Sequence, residues 1–179
     1  FKGSADAVYQ CQHVITDEKP EIVCIFGGDH VYKMDVRQMI QAHYARDAAA
    51  TVAAIPVPRK EARDFGVLEI DSDGRIIAFH EKVQNPPTMP GSDDMCLASM
   101  GNYVFRTDDL MRGLHRDASV ETSKHDFGHD ILPRMVADGQ DVFVYDFNKN
   151  LVPGEEPRAH AYWRDIGTIE AYWDAQMDL

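Results

Sequence analysis

Residues 22–29 read Ile22-Val23-Cys24-Ile25-Phe26-Gly27-Gly28-Asp29, a continuously apolar run that ends abruptly at two glycines and an aspartate. A strand that is apolar on both faces is typical of the middle of a parallel sheet covered by helices. Downstream, Asp35 and Gln38 have the spacing of a helix capping box, and apolar residues recur behind them at helical intervals. A second apolar run at residues 51–57 completes a predicted β-α-β unit, which implies a right-handed crossover and a parallel sheet.

The middle of the chain predicts a β-hairpin. Residues 66–70 and 75–82 flank the turn Asp71-Ser72-Asp73-Gly74, which is rich in residues that tolerate positive φ. Further strands are predicted at residues 99–105 and 142–147. A final helix is predicted after Thr168, with these side chains facing inward: Ile169, Tyr172, Trp173 and Met177. The pattern as a whole predicts an α/β fold whose mixed, mostly parallel sheet is flanked by helices and carries one hairpin excursion.

Length and composition describe one globular domain. The 179 residues suffice for a sizeable core, and 44% of them are apolar and 27% charged. No run of about 18 apolar residues is present, so no membrane-spanning helix is expected. The net charge of -12, without a cluster of lysines and arginines, argues against nucleic acid as a partner. Three widely spaced cysteines argue against a disulfide framework and fit a reduced, cytoplasmic protein.

Two carboxylates at the ends of predicted elements are candidates for a metal site. Asp29 follows an apolar strand, and ligands of open parallel sheets bind beyond the carboxyl ends of the strands. The glycines before it let a phosphate approach without obstruction by a Cβ atom, and carboxylates are suitable ligands for Mg²⁺. Asp165 precedes the final helix. Each has a plainer interpretation, as a turn residue for Asp29 and as a stabiliser of the helix dipole for Asp165. Convergence on one cation would favour the functional role.

Two further pairs of residues invite functional interpretations. Glu81 and Lys82 end the hairpin's second strand, and a straight strand would send them to opposite faces. Both can serve one pocket only if the strand bends or ends there, and otherwise a solvated ion pair is expected. His125 and His129 have a spacing that can hold zinc on a helix. Because Gly128 makes a regular helix across both histidines doubtful, surface or supporting roles are preferred for them.

Seven segments, spread over essentially all 179 residues, carry a family resemblance. They are Gly3-Ser4-Ala5-Asp6-Ala7-Val8, Gly28-Asp29-His30-Val31-Tyr32-Lys33-Met34-Asp35, Phe65-Gly66-Val67, Glu81-Lys82, Ser99-Met100-Gly101-Asn102-Tyr103-Val104-Phe105, His125-Asp126-Phe127-Gly128 and Tyr162-Trp163-Arg164-Asp165-Ile166-Gly167-Thr168. In this order they resemble the ADP-glucose pyrophosphorylase (glucose-1-phosphate adenylyltransferase) family of bacterial glycogen synthesis. Two departures are Val83, where a proline is usual, and His129, where a lysine is common.

The resemblance implies a Rossmann-like nucleotidyltransferase domain with Mg²⁺ held by Asp29 and Asp165. Its implied catalytic residues are Asp29 and Lys82, with Lys82 on the phosphate of glucose 1-phosphate. The residues implied to bind glucose 1-phosphate are Gly66, Glu81, Lys82, Ser99 and Phe1, the last standing where many relatives have a tyrosine. The residues implied to bind the nucleotide are Gly3, Ser4, Gly28 and Asp29.

The reaction implied is transfer of the adenylyl group of ATP to glucose 1-phosphate. The resemblance also implies a cytoplasmic homo-oligomer, a tetramer in the full-length protein, with no nucleic-acid or membrane partner. The family's loop Gly-Gly-x-Gly-x-Arg-Leu and its C-terminal β-helix domain lie outside residues 1–179, so a partial catalytic domain is expected.

Three alternatives stay open at this stage. The chain could act on another sugar or nucleotide, or it could be a non-catalytic regulatory subunit of the same fold. The third alternative is a zinc-dependent hydrolase built on His125 and His129.

Overall fold

The computed structural model describes residues 1–154 and 162–178. The strands are β1 (Ile22–Ile25), β2 (His30–Tyr32), β3 (Ala50–Pro58), β4 (Gly66–Ile70), β5 (Ile76–Glu81), β6 (Met95–Arg106), β7 (Val142–Asp146) and β8 (Trp163–Asp165). The helices are α1 (Ser4–Gln10), α2 (Gln12–Glu18), α3 (Val36–Ala45), α4 (Thr107–Ala118), α5 (Leu132–Ala137) and α6 (Ile169–Asp178). A π-helical turn, Phe127–Ile131, runs directly into α5. Within the described residues, no helix is long and apolar enough to cross a bilayer.

Strand β6 organises the main sheet. The strand order is β5-β4-β6-β3-β7, and β1 also pairs with β6. The first half of β6 pairs with β4, where Ala98 lies opposite Val67, and its second half pairs with β1, where Phe105 lies opposite Val23. β3 pairs along the other edge of β6. One strand of 12 residues thus supports three neighbours, and the predicted α/β fold with a mixed sheet is confirmed.

The strand directions refine the predicted β-α-β unit. β1 and β3 both run antiparallel to β6 on opposite sides of it, so they share a direction without pairing. The common direction is as predicted, and β6 lies between the two strands. In the described sheet β1, β3, β4 and β7 point the same way, yet the β3–β7 ladder is the parallel one and the other ladders are antiparallel.

The core lies on both faces of this sheet. Residues of β3 alternate between the two, since Val52 and Ala54 pack in a cluster with α1, α4 and α5, whereas Ala53 packs in a second cluster with α3. β1 alternates in the same way, with Val23 on the first face and Cys24 on the second. The apolar run at residues 22–26 therefore correctly predicted two covered faces. It misplaced β1, which is half-buried and has β6 as its partner within the described residues. The reason is that the polarity of side chains shows which faces of a strand are covered, but it does not show whether the strand lies in the middle of a sheet or at its edge.

Local signals predicted the turns and caps correctly. Gly74 has a φ of 80° in the hairpin turn, and the Asp73 amide donates to Asp71 Oδ1 at 2.9 Å. The Arg37 amide donates to Asp35 Oδ1 at 3.1 Å at the start of α3, and the Ala171 amide donates to Thr168 Oγ1 at 3.1 Å at the start of α6. Each is an interaction within four residues, which explains why the sequence reveals it.

The prediction that the apolar side chains of α6 face inward is wrong. Ile169 is 86% exposed and Trp173 is 61% exposed, while Ala175 is the buried residue of the helix. Helical spacing shows that apolar residues share a face, but it does not show that another part of the same chain covers that face.

Candidate active site

The β2–β8 ladder brings Asp29 and Asp165 together. His30 lies opposite Asp165 in this antiparallel pair, and the Ile166 amide donates to the Asp29 carbonyl at 3.0 Å. As a result, one ligand atom from each of Asp29, His30 and Asp165 lies within 4.8 Å of the other two. The two carboxylates that the sequence singled out separately are therefore close enough to share one cation.

The environment of this group suits a cation that also contacts a ligand from solvent. The Asp29 side chain is 72% exposed, whereas that of His30 is 14% exposed, with Nε2 at 3.5 Å from Asp29 Oδ1. One oxygen of Asp165 is fixed, because Oδ1 accepts from the Gly167 amide at 2.8 Å. Exposed carboxylates offer hard oxygen ligands, and the imidazole adds a nitrogen donor of the kind that divalent transition metals accept.

His30 was missed as a possible ligand in the sequence analysis. Its ring packs edge-on against Trp163 at 5.3 Å between centroids, and its Nδ1 is buried without a hydrogen-bond partner among the described residues. The signal that could have found it is its position next to Asp29. That position matters because the register of the β2–β8 ladder places His30 opposite Asp165, and the neighbouring sequence does not show this register.

A second group of predicted residues forms around the Glu81 carboxylate. Gly66 lies opposite Glu81 in the β4–β5 ladder. A Cβ atom added to Gly66 would lie 2.7 Å from Glu81 Oε2, and one added to Gly128 would lie 3.2 Å from it. The two glycines therefore make room for the carboxylate between β4 and the π-helical turn, which explains why this place in the sequence has Gly66.

Lys82 ends the strand in the way that a shared pocket requires. Its φ is 50°, in the left-handed region, and its amide donates to the Phe65 carbonyl at 3.2 Å. The chain direction therefore changes immediately after Glu81, so the alternation of a straight strand no longer separates the two side chains. The Glu81 carboxylate experiences the charge of Lys82 together with those of Asp126 and Lys124.

Burial raises the pKa of Glu81, Lys82 opposes that rise and Asp126 adds to it. Because the folded protein holds this proton more tightly than the unfolded chain, the stability that the neutral acid contributes is present below the ordinary carboxyl pKa and is lost as pH rises through the raised value.

We expect Glu81→Gln to raise the Tm at neutral pH, with the gain disappearing at about pH 4. Thermal melts from about pH 4 to about pH 8 check this. Glu121→Gln, at an exposed position, is the matched control. A lower Tm for Glu81→Gln at neutral pH would contradict the expectation.

Strand β6 approaches the first group at Gly101, and Tyr103 on the same strand experiences the charge of Glu81. The Gly101 amide donates to Ser99 Oγ at 3.3 Å, and a Cβ atom added to Gly101 would lie 3.0 Å from His30 Cε1. Ser99 also hydrogen-bonds the hydroxyl of Tyr103, whose pKa is raised by burial. Tyr103 was missed in the sequence analysis, because an aromatic residue in an apolar strand is typical of a core residue.

Gly3 and Ser4 lie against the loop that leads into the π-helical turn. Ser4 Oγ donates to Asp126 Oδ2 at 2.7 Å and accepts from the Phe127 amide at 3.1 Å. Asp126 in turn accepts from the amides of Gly128 and His129, each at 2.9 Å. The structure thus places Ser4 beside the Glu81 group through Asp126, another residue that the sequence analysis did not assign to the site.

Gly3 permits a close contact between two backbones. A Cβ atom added there would lie 2.3 Å from the Lys124 carbonyl oxygen and 2.4 Å from that of His125. We expect Gly3→Ala to lower the free energy of unfolding by about 2 kcal/mol, since the neighbouring backbone must move. Gly28→Ala is the control, because nothing lies within 4 Å of its added Cβ, and it should change the stability by less than about 0.5 kcal/mol. Denaturant unfolding of both variants checks the difference, and equal losses would contradict it.

Two predicted residues show no contact that would fix a role. Phe1 is 88% exposed, and Gly28 faces open space. The crowded glycine is Gly27, whose added Cβ would lie 3.0 Å from the His30 ring. Ligand roles for Phe1 and Gly28 stay predictions.

The histidine pair does not form the zinc site of the third alternative. His125 has a φ of 54°, lies before the π-helical turn, and bonds Asp117 Oδ2 through Nδ1 at 2.8 Å. His129 bonds Asp130 Oδ1 at 3.1 Å. Among the described residues, the group of potential metal ligands is Asp29, His30 and Asp165, and it includes neither histidine.

Comparison with known proteins identifies relatives over the whole chain. The family model described as "Nucleotidyl transferase" matches residues 1–179. The chain is 50% identical over 179 residues to a glucose-1-phosphate adenylyltransferase of Thermus thermophilus, covering 100% of this chain and 43% of the relative. It is 54% identical over 180 residues to one of Anaeromyxobacter sp. and 51% identical over 179 residues to glucose-1-phosphate adenylyltransferase 1 of Vibrio vulnificus, in each case covering 100% of this chain and 44% of the relative. The chain thus spans less than half the length of these curated relatives.

Proposed function

This chain belongs to the nucleotidyl transferase family, and we propose that the protein containing it transfers the adenylyl group of ATP to glucose 1-phosphate, giving ADP-glucose and pyrophosphate for glycogen synthesis. The observation that carries this proposal is the approach of Asp29 and Asp165 within 4.8 Å at the β2–β8 ladder. The names of the relatives support the choice of ATP and glucose 1-phosphate.

Asp29 and Asp165 are the proposed ligands of a divalent cation, for which Mg²⁺ is the expected ion. The exposed oxygens of Asp29 and the partly fixed carboxylate of Asp165 fit this role. A bound divalent cation supplies charge stabilisation on the phosphates during phosphoryl-group transfer. The chain's own contribution is to hold two carboxylates at a fixed separation, and the backbone bonds of the β2–β8 ladder achieve this without help from a ligand.

Lys82 is the proposed partner of the phosphate of glucose 1-phosphate. Its ammonium is a point charge on a flexible stem, so it can orient the nucleophilic phosphate oxygen without restricting it to one geometry. Glu81, Gly66 and Ser99 are the proposed contacts of the sugar. The Glu81 carboxylate is half-buried and accepts hydrogen bonds when ionised, which suits the recognition of sugar hydroxyls.

The reaction needs positioning and charge neutralisation more than covalent chemistry. An oxygen of the sugar phosphate attacks the α-phosphorus of ATP in line, and pyrophosphate leaves with the bonding electron pair. The attacking phosphate is already ionised, so no side chain has to remove a proton. Gly3, Ser4 and Gly28 are proposed to border the nucleotide, and Phe1 is proposed to reach the sugar phosphate.

Pyrophosphate release tests the proposal. The full-length protein is assayed with glucose 1-phosphate and each of ATP, UTP, GTP, CTP and dTTP, and with ATP and other sugar 1-phosphates. We expect the highest kcat/KM for ATP with glucose 1-phosphate. A clear preference for another pair would favour the alternative of a different nucleotidyltransferase, and no turnover with any pair would favour a regulatory subunit.

The resemblance supports two further proposals about the full-length protein. One is a homo-oligomer, specifically a tetramer, which light scattering measures directly. The other is a cytoplasmic location.

A further inference from the structure

A buried ion pair joins the end of α4 to the loop that leads into the π-helical turn. His125 Nδ1 lies 2.8 Å from Asp117 Oδ2, and the two side chains are 8% and 5% exposed. An ionised carboxylate only accepts hydrogen bonds, so the imidazole donates through Nδ1. Because a buried charge is tolerated only when it is paired and hydrogen-bonded, the position of His125 is tied to that of Asp117.

The Ser123 hydroxyl fixes both members of this pair. It donates to Asp117 Oδ1 at 2.6 Å and accepts from the His125 amide at 2.9 Å. Both carboxylate oxygens of Asp117 therefore have partners, and His125 is held by its side chain and by its backbone. The φ of His125 is 54°, in the left-handed region that few residues other than glycine adopt. The surrounding hydrogen bonds thus hold His125 in a conformation that its residue type does not favour.

The left-handed conformation of His125 sets the position of two parts of the candidate site. The His125 carbonyl accepts from two amides in the first turn of α1, at 2.8 Å and 3.2 Å. The next residue, Asp126, accepts from Ser4 Oγ at 2.7 Å, and its charge acts on the Glu81 carboxylate. A change in the backbone at His125 would therefore move the start of α1 and the Asp126 carboxylate together.

We propose that Asp117 and His125 are positioning residues for the recognition of glucose 1-phosphate. They act by holding Asp126 in place beside Ser4 and Glu81. Because Glu81 is a proposed contact of the sugar, this role rests on the proposed function. Neither member of the pair has to touch a substrate, since the effect passes through the backbone of His125 and the side chain of Asp126. Without the pair, recognition of the sugar phosphate weakens even in a protein that stays folded.

Steady-state kinetics of two variants of the full-length protein test this role, with ATP saturating and glucose 1-phosphate varied. Glycine tolerates the φ of 54° but cannot bond Asp117, so His125→Gly removes the ion pair without adding backbone strain. We expect it to raise the KM for glucose 1-phosphate by about 10-fold, with a smaller change in kcat. Asparagine also tolerates the left-handed region, and its amide can donate to Asp117 in place of Nδ1. His125→Asn should therefore keep the KM within about 3-fold of that of the unchanged protein.

Two further variants separate positioning from stability. His13→Gly is the matched control, because it removes an exposed histidine and weakens α2. It should lower the Tm and leave the KM for glucose 1-phosphate unchanged. Asp126→Ala tests the route of the effect. Adding His125→Gly to it should raise the KM by less than about 3-fold, because residues that act through one another are not additive.

Three outcomes would overturn the positioning role and leave the proposed function intact. An unchanged KM in His125→Gly with a lower Tm would mean that the pair only stabilises the fold. A KM in His125→Asn as high as that in His125→Gly would mean that the bond to Asp117 is not what matters. Fully multiplied losses in the double variant would mean that the effect does not pass through Asp126.

Failure of the proposed function gives a different result, because the unchanged protein would then turn over no substrate pair. Calorimetric titration with glucose 1-phosphate would carry the same comparison of variants, and absence of binding there would overturn both proposals. If His125→Gly does not fold, Ser123→Ala removes both bonds of the hydroxyl and should raise the KM by about 3-fold. Ser119→Ala, at an exposed position, is its control, and equal KM values in the two serine variants would overturn the positioning role.

Discussion

Replacing Asp29 with Asn in the full-length protein is expected to lower kcat by about 10³-fold, equivalent to about 4 kcal/mol of transition-state stabilisation. Asparagine keeps the shape of the side chain but removes the charge that would hold a cation beside the α-phosphate. The fold should be unaffected, because the Asp29 side chain is 72% exposed and its backbone carbonyl still accepts from the Ile166 amide. Initial rates of pyrophosphate release and a thermal melt measure the two effects.

Matched variants make this prediction specific. Asp73→Asn removes the same charge from the exposed hairpin turn and should leave kcat unchanged. Asp165→Asn should resemble Asp29→Asn, and the double variant should lose little more than the worse of the two, because residues that hold one ion act as a unit. Normal turnover in Asp29→Asn would show that the Asp29 carboxylate does not contribute to catalysis. Fully multiplicative losses would mean that the two carboxylates act separately.

Replacing Lys82 with Ala is expected to raise the KM for glucose 1-phosphate by about 10- to 100-fold, because a hydrogen bond to a charged partner contributes about 1.5–3 kcal/mol. The KM for ATP should change little. Stability should also change little, since alanine and lysine experience similar strain at a φ of 50°. Full kinetic curves in each substrate, with the other saturating, separate the two KM values.

Lys60→Ala is the control for Lys82, because Lys60 is exposed in the turn after β3 and loses the same charge. It should leave both KM values unchanged. If the KM for ATP alone moved in Lys82→Ala, the assignment of Lys82 to the sugar phosphate would be wrong, although Asp29 and Asp165 could still hold the cation.

Some residues of the site were predictable from local sequence, and others were not. Asp29 was a candidate because an apolar strand ends there, and the structure places it beside Asp165, as the metal-site hypothesis requires. Glu81 and Lys82 were ambiguous because strand alternation separates neighbours, and the left-handed conformation of Lys82 removes that objection. His30 was not predicted at all. Nothing near it in sequence indicates that Asp165 is its partner across the β2–β8 ladder.

By itself, the sequence determined the features that depend on near neighbours. The caps at Asp35 and Thr168 and the hairpin turn at residues 71–74 each result from interactions within a few residues. The apolar run at residues 22–26 indicated by its own composition that both faces of the strand are covered. The tertiary structure decided which distant segments pair. It inserted β6 between β1 and β3, placed Asp165 beside Asp29 and left the apolar face of α6 exposed in the described chain. Such pairings follow from competition among many strand edges and loop closures, and no short window of sequence encodes that competition.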